Sequence, residues 1–276
     1  MQTHLDGPVA PASRRWQRAV TLMELLVVLA VIGILAAVAL PSMKGLQKSN
    51  VMVSATRQLI DDLSRARSVA IRERTTVHVI FVPPTVQTMT ASALPDRSGV
   101  LDRKQWTNLL SGAFTRYGIF AERTVGDQPG RPRSRYIGEW HQLPEGVTIA
   151  EWEYDDWMNG QNGSPALWDS TPAADRPLKF GTFPFPTVSG QPQRVPHLAF
   201  DSTGALLVHD SSGVRVLQDE VISLARASVL VVRDTDGSLL DFDVRESPPN
   251  NSRDNFNRVR IDALTGRARA ERPEVQ

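Results

Sequence analysis

Cysteine is absent from this 276-residue chain. Its absence excludes disulfides, thiolate metal sites and a cysteine nucleophile, and leaves the redox compartment open. An excess of charge of one sign is also missing. Lysine and arginine number 31 against 30 aspartates and glutamates, a net charge of +1. No global field therefore draws the protein to nucleic acid or to an acidic partner, and any charged site must be local. The five histidines, His4, His78, His141, His197 and His209, show no metal-binding spacing. There is no nucleophile elbow and no phosphate-binding glycine loop. No enzyme, cofactor or resident metal is expected on these grounds. The chain does have a hydrophobic content of 41%, enough for a packed core in one large or two small domains.

One long hydrophobic run is present, "RAVTLMELLVVLAVIGILAAVALP" from Arg18 to Pro41, and a single acid, Glu24, stands near its head. Val20 to Leu40 is about 21 residues, or about 32 Å as a helix, which spans a bilayer core. Arg14, Arg15 and Arg18 precede the run, whereas Lys44 and Lys48 follow it more sparsely. That asymmetry places the N-terminus in the cytoplasm and everything after Pro41 on the far side of the membrane. A cleaved secretory signal is the rival, with "AAVALPSM" imitating its small-residue site. A carboxylate at mid-bilayer costs about 2.5–3.5 kcal/mol, so Glu24 calls for a partner.

The same stretch resembles the signal of type IV prepilins and type II secretion pseudopilins, with Thr21, Leu22 and Glu24 at the family's spacing. The resemblance implies a cut between Ala19 and Val20 by a prepilin peptidase, which also methylates the new N-terminus. The family usually has glycine before the cut and phenylalanine after it, where this chain has Ala19 and Val20. An ammonium at Val20 of one subunit would then pair with Glu24 of its neighbour and favour one axial register. Gly33 permits close helix approach, and Pro41 can kink or locally melt the helix. A plain signal anchor with Glu24 near the interface is the alternative.

Beyond Pro41, Leu46, Val53, Leu59, Ile60, Leu63, Ala66 and Ala70 keep a helical period to about residue 74. Arg57, Asp61, Asp62, Arg65 and Arg67 read as its solvated face, with i,i+4 pairs such as Asp61 with Arg65. "TTVHVIFVPP" alternates as a strand ended by Pro83 and Pro84, and His78 reads as an ordinary strand residue. Between Thr85 and Pro196 turn-rich insertions separate short strands, among them "GVTIAEWEY". Trp152, Trp157 and Trp168 read as a satellite core under these loops, with a carbohydrate- or protein-binding surface as the alternative.

Strands and hairpins fill the C-terminal third: "VPHLAFDSTGALLV", "VRVLQ", "SVLVVRDTDGSLLDFDV" and "NRVRIDALTGRARAE". Together with "SRARSVAIRERTTVHVIF" and "LPEGVTI", these are similar in order to segments of the minor pseudopilin group that holds the type II secretion H subunit and FimT-like pilins. The chain is also similar to the large proteins called Verru_Chthon cassette protein D. In "DTDGSLLDFD", Asp234 and Asp236 form a weak calcium candidate, and a simple aspartate-glycine turn is the favoured reading.

The expectation is an α+β, pilin-like protein, with a basic leader at 1–19, a membrane and assembly helix at 20–41, its exported continuation at 42–74 and a β-rich periplasmic domain at 75–276. The resemblance implies a minor pseudopilin or pilin-like subunit of the inner membrane. Its partners would be the peptidase and N-methyltransferase, other pilins and the assembly platform. The alternative is a DNA-uptake pilin. Arg258, Arg260, Arg267, Arg269 and Arg272 then face only Asp262 and Glu271, with Phe256 the one aromatic nearby.

Overall fold

The computed structural model describes residues 21–84, 108–124, 126–127, 133–154, 176–209, 213–235, 239–254 and 257–272, with the side chains of 36–50 and 240 outside the description. The chain divides into two units, Met1–Lys48 and Ser49–Gln276. Helix α1, Leu22–Glu73, contributes to both.

In the second unit, α1 buries Met52, Ala55, Leu59, Leu63, Ala66, Val69 and Ala70. These positions recur every three or four residues and so form one stripe along the helix. The helix stops at Arg74, whose φ is 50°, and Thr75 N–H donates to the Ala70 carbonyl at 3.2 Å. A left-handed residue followed by this backward bond is a Schellman ending, made here without glycine.

Two antiparallel sheets complete the unit. The first has six strands: β1 (Val77–Phe81), β2 (Arg116–Ala121), β3 (Arg135–Tyr136), β4 (His141–Gln142), β6 (Lys179–Pro184) and β7 (Pro192–Phe200). They run in the order β3-β2-β1-β7-β6, with β4 also on β2. The second has five: β5 (Val147–Ile149), β10 (Glu220–Arg233), β11 (Leu239–Glu246), β12 (Asn257–Ile261) and β13 (Ala268–Glu271). Strands β8 (Val208–His209) and β9 (Arg215–Val216) form a separate pair. Side chains of α1 and of both larger sheets share one hydrophobic cluster. The α+β class with antiparallel sheets is as the sequence implied.

Several local readings need correction. Strand β1 is buried at all five positions instead of alternating. Tyr117 packs against Phe81 and reaches α1 at Asp62, while His78 on the other face packs against Phe120, Phe183 and His197. A strand covered on both faces loses the two-residue alternation. "GVTIAEWEY" is a strand only over Val147–Ile149 and then turns into a 3-10 segment, Glu151–Tyr154. The turn lets the buried Glu153 carboxylate accept the Ser223 N–H at 2.6 Å. On α1, Arg57, Asp61 and Arg65 are exposed as expected, but Asp62 and Arg67 are not. Asp62 accepts the Tyr117 hydroxyl at 2.6 Å and lies 3.1 Å from His141 Nδ1.

Arg67 explains why two of the singled-out segments matter. In "FDSTGA", Asp201 Oδ1 accepts both the amide and the hydroxyl of Thr203, at 2.8 and 2.6 Å. In "IDALTG", Asp262 Oδ1 does the same for Thr265, at 2.7 Å each. Each turn ends in a glycine of positive φ, Gly204 at 82° and Gly266 at 61°. The turns touch so closely that a Cβ on Gly266 would lie 2.0 Å from the Gly204 carbonyl oxygen. Arg67 Nε–H is shared between the carbonyls of Gly204 and Thr265, at 3.1 and 2.6 Å. The helix is thereby fastened to both turns at once.

Candidate functional site at the helix start

Thr21 stands immediately before the first helical residue. Its Oγ1 accepts the Glu24 N–H at 3.2 Å, and its carbonyl accepts the Leu25 N–H at 3.2 Å. Thr21 is therefore the N-cap and Glu24 the third residue of the helix, the T-x-x-E spacing of a capping box. A carboxylate in the first turn also faces the positive end of the helix dipole. Both residues thus have a local reason to be where they are, one that the sequence reading of Glu24 overlooked.

From Thr21 to Leu35 every residue is exposed. Leu22 is 84% exposed, and even the most sheltered of the large apolar side chains, Val31, is at 50%. A bare apolar surface of this kind marks a contact with another hydrophobic body. Around Gly33 a Cβ would meet nothing within 4 Å, so its small size is not required by any neighbour among the described residues. The helix runs through Pro41 without ending there. Ala19 and Val20 lie outside the described residues.

The expectation of a membrane-spanning first half falls partly on residues 36–40, whose side chains are outside the description. Among the described residues, no helix is long and apolar enough to cross a membrane.

Residues 17–40 match the family model of the prokaryotic N-terminal methylation motif. The chain carries a type IV prepilin-like signal. The matched residues include the capped helix start, with Thr21, Leu22 and Glu24, and all of the exposed stretch from 21 to 35. Such a signal marks a substrate of a prepilin peptidase that assembles with other pilins, and it indicates a structural, pilin-like role. No curated protein and no solved structure matches the chain.

The other sequence-derived candidates belong to the second unit. Arg258 and Arg260 are half-buried, whereas Arg267, Arg269 and Arg272 are exposed. Arg260 is bound to Glu271 at 3.0 Å and lies 3.5 Å from Asp219. One member of the proposed phosphate-binding set is therefore engaged within the domain, and Phe256 is outside the described residues. Asp234 Oδ1 accepts the Thr235 amide at 2.6 Å, as a turn aspartate does, and Asp236 is outside the described residues. Trp152 is half-buried with the Arg253 guanidinium 5.1 Å from its ring centre, while Trp157 and Trp168 are outside the described residues.

Sequence reasoning missed the buried ionisable groups. Glu153 is fully buried, and burial pushes its carboxyl well above the usual range despite the Ser223 N–H. Glu220, 4% exposed, is pushed up to about 7 by burial, against the attraction of Arg176 and Lys179. His197 is pushed down to about 3, by burial first and then by His78. His78 itself bonds Glu122 at 2.9 Å, a closer engagement than an ordinary strand residue has. Nothing in the local sequence distinguishes these residues from exposed ones, because the strands that cover them lie far away along the chain.

Proposed function

We propose that the chain is a minor pseudopilin or pilin-like subunit, cut between Ala19 and Val20, methylated at Val20 and assembled into a short fibre of a secretion or pilus system. The apolar run from Val20 to Leu40 holds it in the inner membrane, with the basic leader in the cytoplasm and residues 75–276 in the periplasm. The observation that carries this reading is the position of the methylation motif: it falls on a capped helix whose apolar side chains from Leu22 to Leu35 are bare. In the fibre that surface meets the same surface of neighbouring subunits, and before assembly it meets lipid. Glu24 pairs with the Val20 ammonium of a neighbour. Methylation leaves that charge in place.

Intact-mass analysis of the protein extracted from membranes of a strain that has its peptidase tests the proposal. The expected product lacks residues 1–19 and has one methyl group on Val20. A product starting after Ala39, or one retaining the leader, would overturn it. The Glu24→Gln variant should still be cut and inserted but fail to co-purify with partner subunits. Breaking a buried pair typically costs about 3–5 kcal/mol, because the remaining charge is left without its counter-ion.

A further inference from the structure

Two surfaces of the folded unit have apolar side chains exposed beside charges of opposite sign. In the β10–β11 hairpin, Leu230 is 56% and Val232 43% exposed. The register sets Leu230 opposite Asp243 and Val232 opposite Asp241, so all four share one face. The other face, with Val229, Val231, Phe242 and Val244, packs on the core. Asp243 is bound to Arg245 at 2.7 Å. Asp241 is exposed, and its Oδ1 accepts the neighbouring Phe242 amide. From residue 228 to 245 the sequence has four aspartates against two arginines.

The β12–β13 hairpin is the complement. Leu264 at its tip is 68% exposed, and Arg267 and Arg269 beside it are exposed. From 257 to 272 there are five arginines against one aspartate and one glutamate. Ile71 of α1, 41% exposed, touches the adjoining turn, because its Cδ1 would lie 2.6 Å from a Cβ on Gly204.

We infer that the β10–β11 hairpin face of one copy docks on the β12–β13 hairpin tip of the next. Leu230 and Val232 meet Leu264 and Ile71, and Asp241 faces Arg267. The two faces belong to different parts of the chain, so the contact is heterologous and repeats from copy to copy without pairing off. A contact of a few apolar side chains is too small to hold two proteins together in dilute solution. It becomes effective when the N-terminal helices already keep the copies close, since the second contact is then intramolecular in effect. The inference rests on the proposed fibre role and names the surface by which the domains meet.

The absence of cysteine makes the test direct, since the only thiols are those introduced. Full-length chains bearing Leu230→Cys or Leu264→Cys are co-expressed in the native membrane and treated with a short bifunctional maleimide. The expected result is a dimer joining one variant to the other and a ladder from the double variant. Arg267→Asp should lower the yield by about fivefold, the effect of roughly one unfavourable surface charge pair, and Asp241→Arg should restore it. Dimers of a single variant with itself, products with a different protein, or no product from a correctly processed chain would each overturn this contact alone. An unprocessed chain would overturn the fibre reading and the contact with it; the mass of the same sample separates the two cases.

Discussion

Gly266→Ala offers the sharpest test of how the helix is fastened to the sheets. At φ 61° an alanine pays about 1–2 kcal/mol for the left-handed backbone. Its Cβ would in addition lie 2.0 Å from the Gly204 carbonyl oxygen, a backbone atom that no side-chain rotation can remove. The two turns must separate by more than an ångström. That opens the shared hydrogen bond of Arg67, whose Nε–H accounts for one charged donor's worth of stability, about 1.5–3 kcal/mol, and not twice that. The expected total is about 2.5–5 kcal/mol. Gly146→Ala is the control: its φ is 86°, but nothing lies within 4 Å of its Cβ, so it should cost only the backbone strain of about 1–2 kcal/mol. Urea unfolding followed by tryptophan fluorescence gives both numbers. Arg67→Met should cost less in the Gly266→Ala background than alone, since the clamp is already open. Equal costs for the two glycines, or full additivity with Arg67→Met, would refute the reasoning.

Other expectations concern buried polar groups and the helix cap. Because burial raises Glu220 from 4.5 to about 7, its contribution is fully present below pH 4.5 and is lost as pH rises to about 7, a total of about 3 kcal/mol. Buried neutral His197 works in the opposite sense, losing stability as pH falls from 6.5 toward about 3. Unfolding at pH 5, 6 and 7 should therefore show Glu220→Gln becoming more stable relative to wild type with rising pH, and an unchanged difference would reject the burial argument. Tyr117→Phe should cost about 1–3 kcal/mol, because it deprives Asp62 of its 2.6 Å donor inside the helix–sheet contact. A variant as stable as wild type would show that water replaces the hydroxyl there. Thr21→Ala should weaken the helix start by about 1 kcal/mol and Thr21→Ser should not. Hydrogen exchange at Glu24 and Leu25 in detergent reads this, and equal protection in the two variants would remove Thr21 as the cap.

The sequence made the helices and hairpins legible wherever one physical signal dominated. The stripe of Leu59, Leu63, Ala66 and Ala70 announced the packed face of α1, although Met52 takes the buried place that Val53 was expected to hold, and the glycine turns of the last third announced its hairpins. It misled where a long-range partner decided the outcome. Asp62 looked like one more solvated charge until Tyr117 and His141 came to meet it. Glu153 looked like part of a strand until Ser223, 70 positions later, offered it an amide. Arg260 looked available for phosphate until Asp219 and Glu271 closed on it. These three misses concern charged residues, because hydrophobic periodicity reports which way a position faces but carries no information about the partner of a charge.

The helix start shows how a short motif can satisfy two requirements with one carboxylate. A cut before Val20 would set an ammonium one residue ahead of the N-cap, next to the half-positive end of the helix dipole. Positive charge is unfavourable there by about 0.3–1 kcal/mol at an exposed end. Lipid or neighbouring helices around the bare side chains would deepen that penalty by lowering the local dielectric. Glu24, as the third helical residue, is the acid nearest in sequence to both charges once the leader is gone, and Thr21 Oγ1 holds its amide in place at 3.2 Å. A free subunit in the membrane therefore already has a use for the carboxylate, before any neighbour arrives. Glu24→Asp keeps the charge but shortens its reach, so it should preserve the local compensation while weakening the pairing across subunits. Processed monomer would then accumulate without co-purifying partners. Normal assembly of Glu24→Asp would show that the local role alone accounts for the residue.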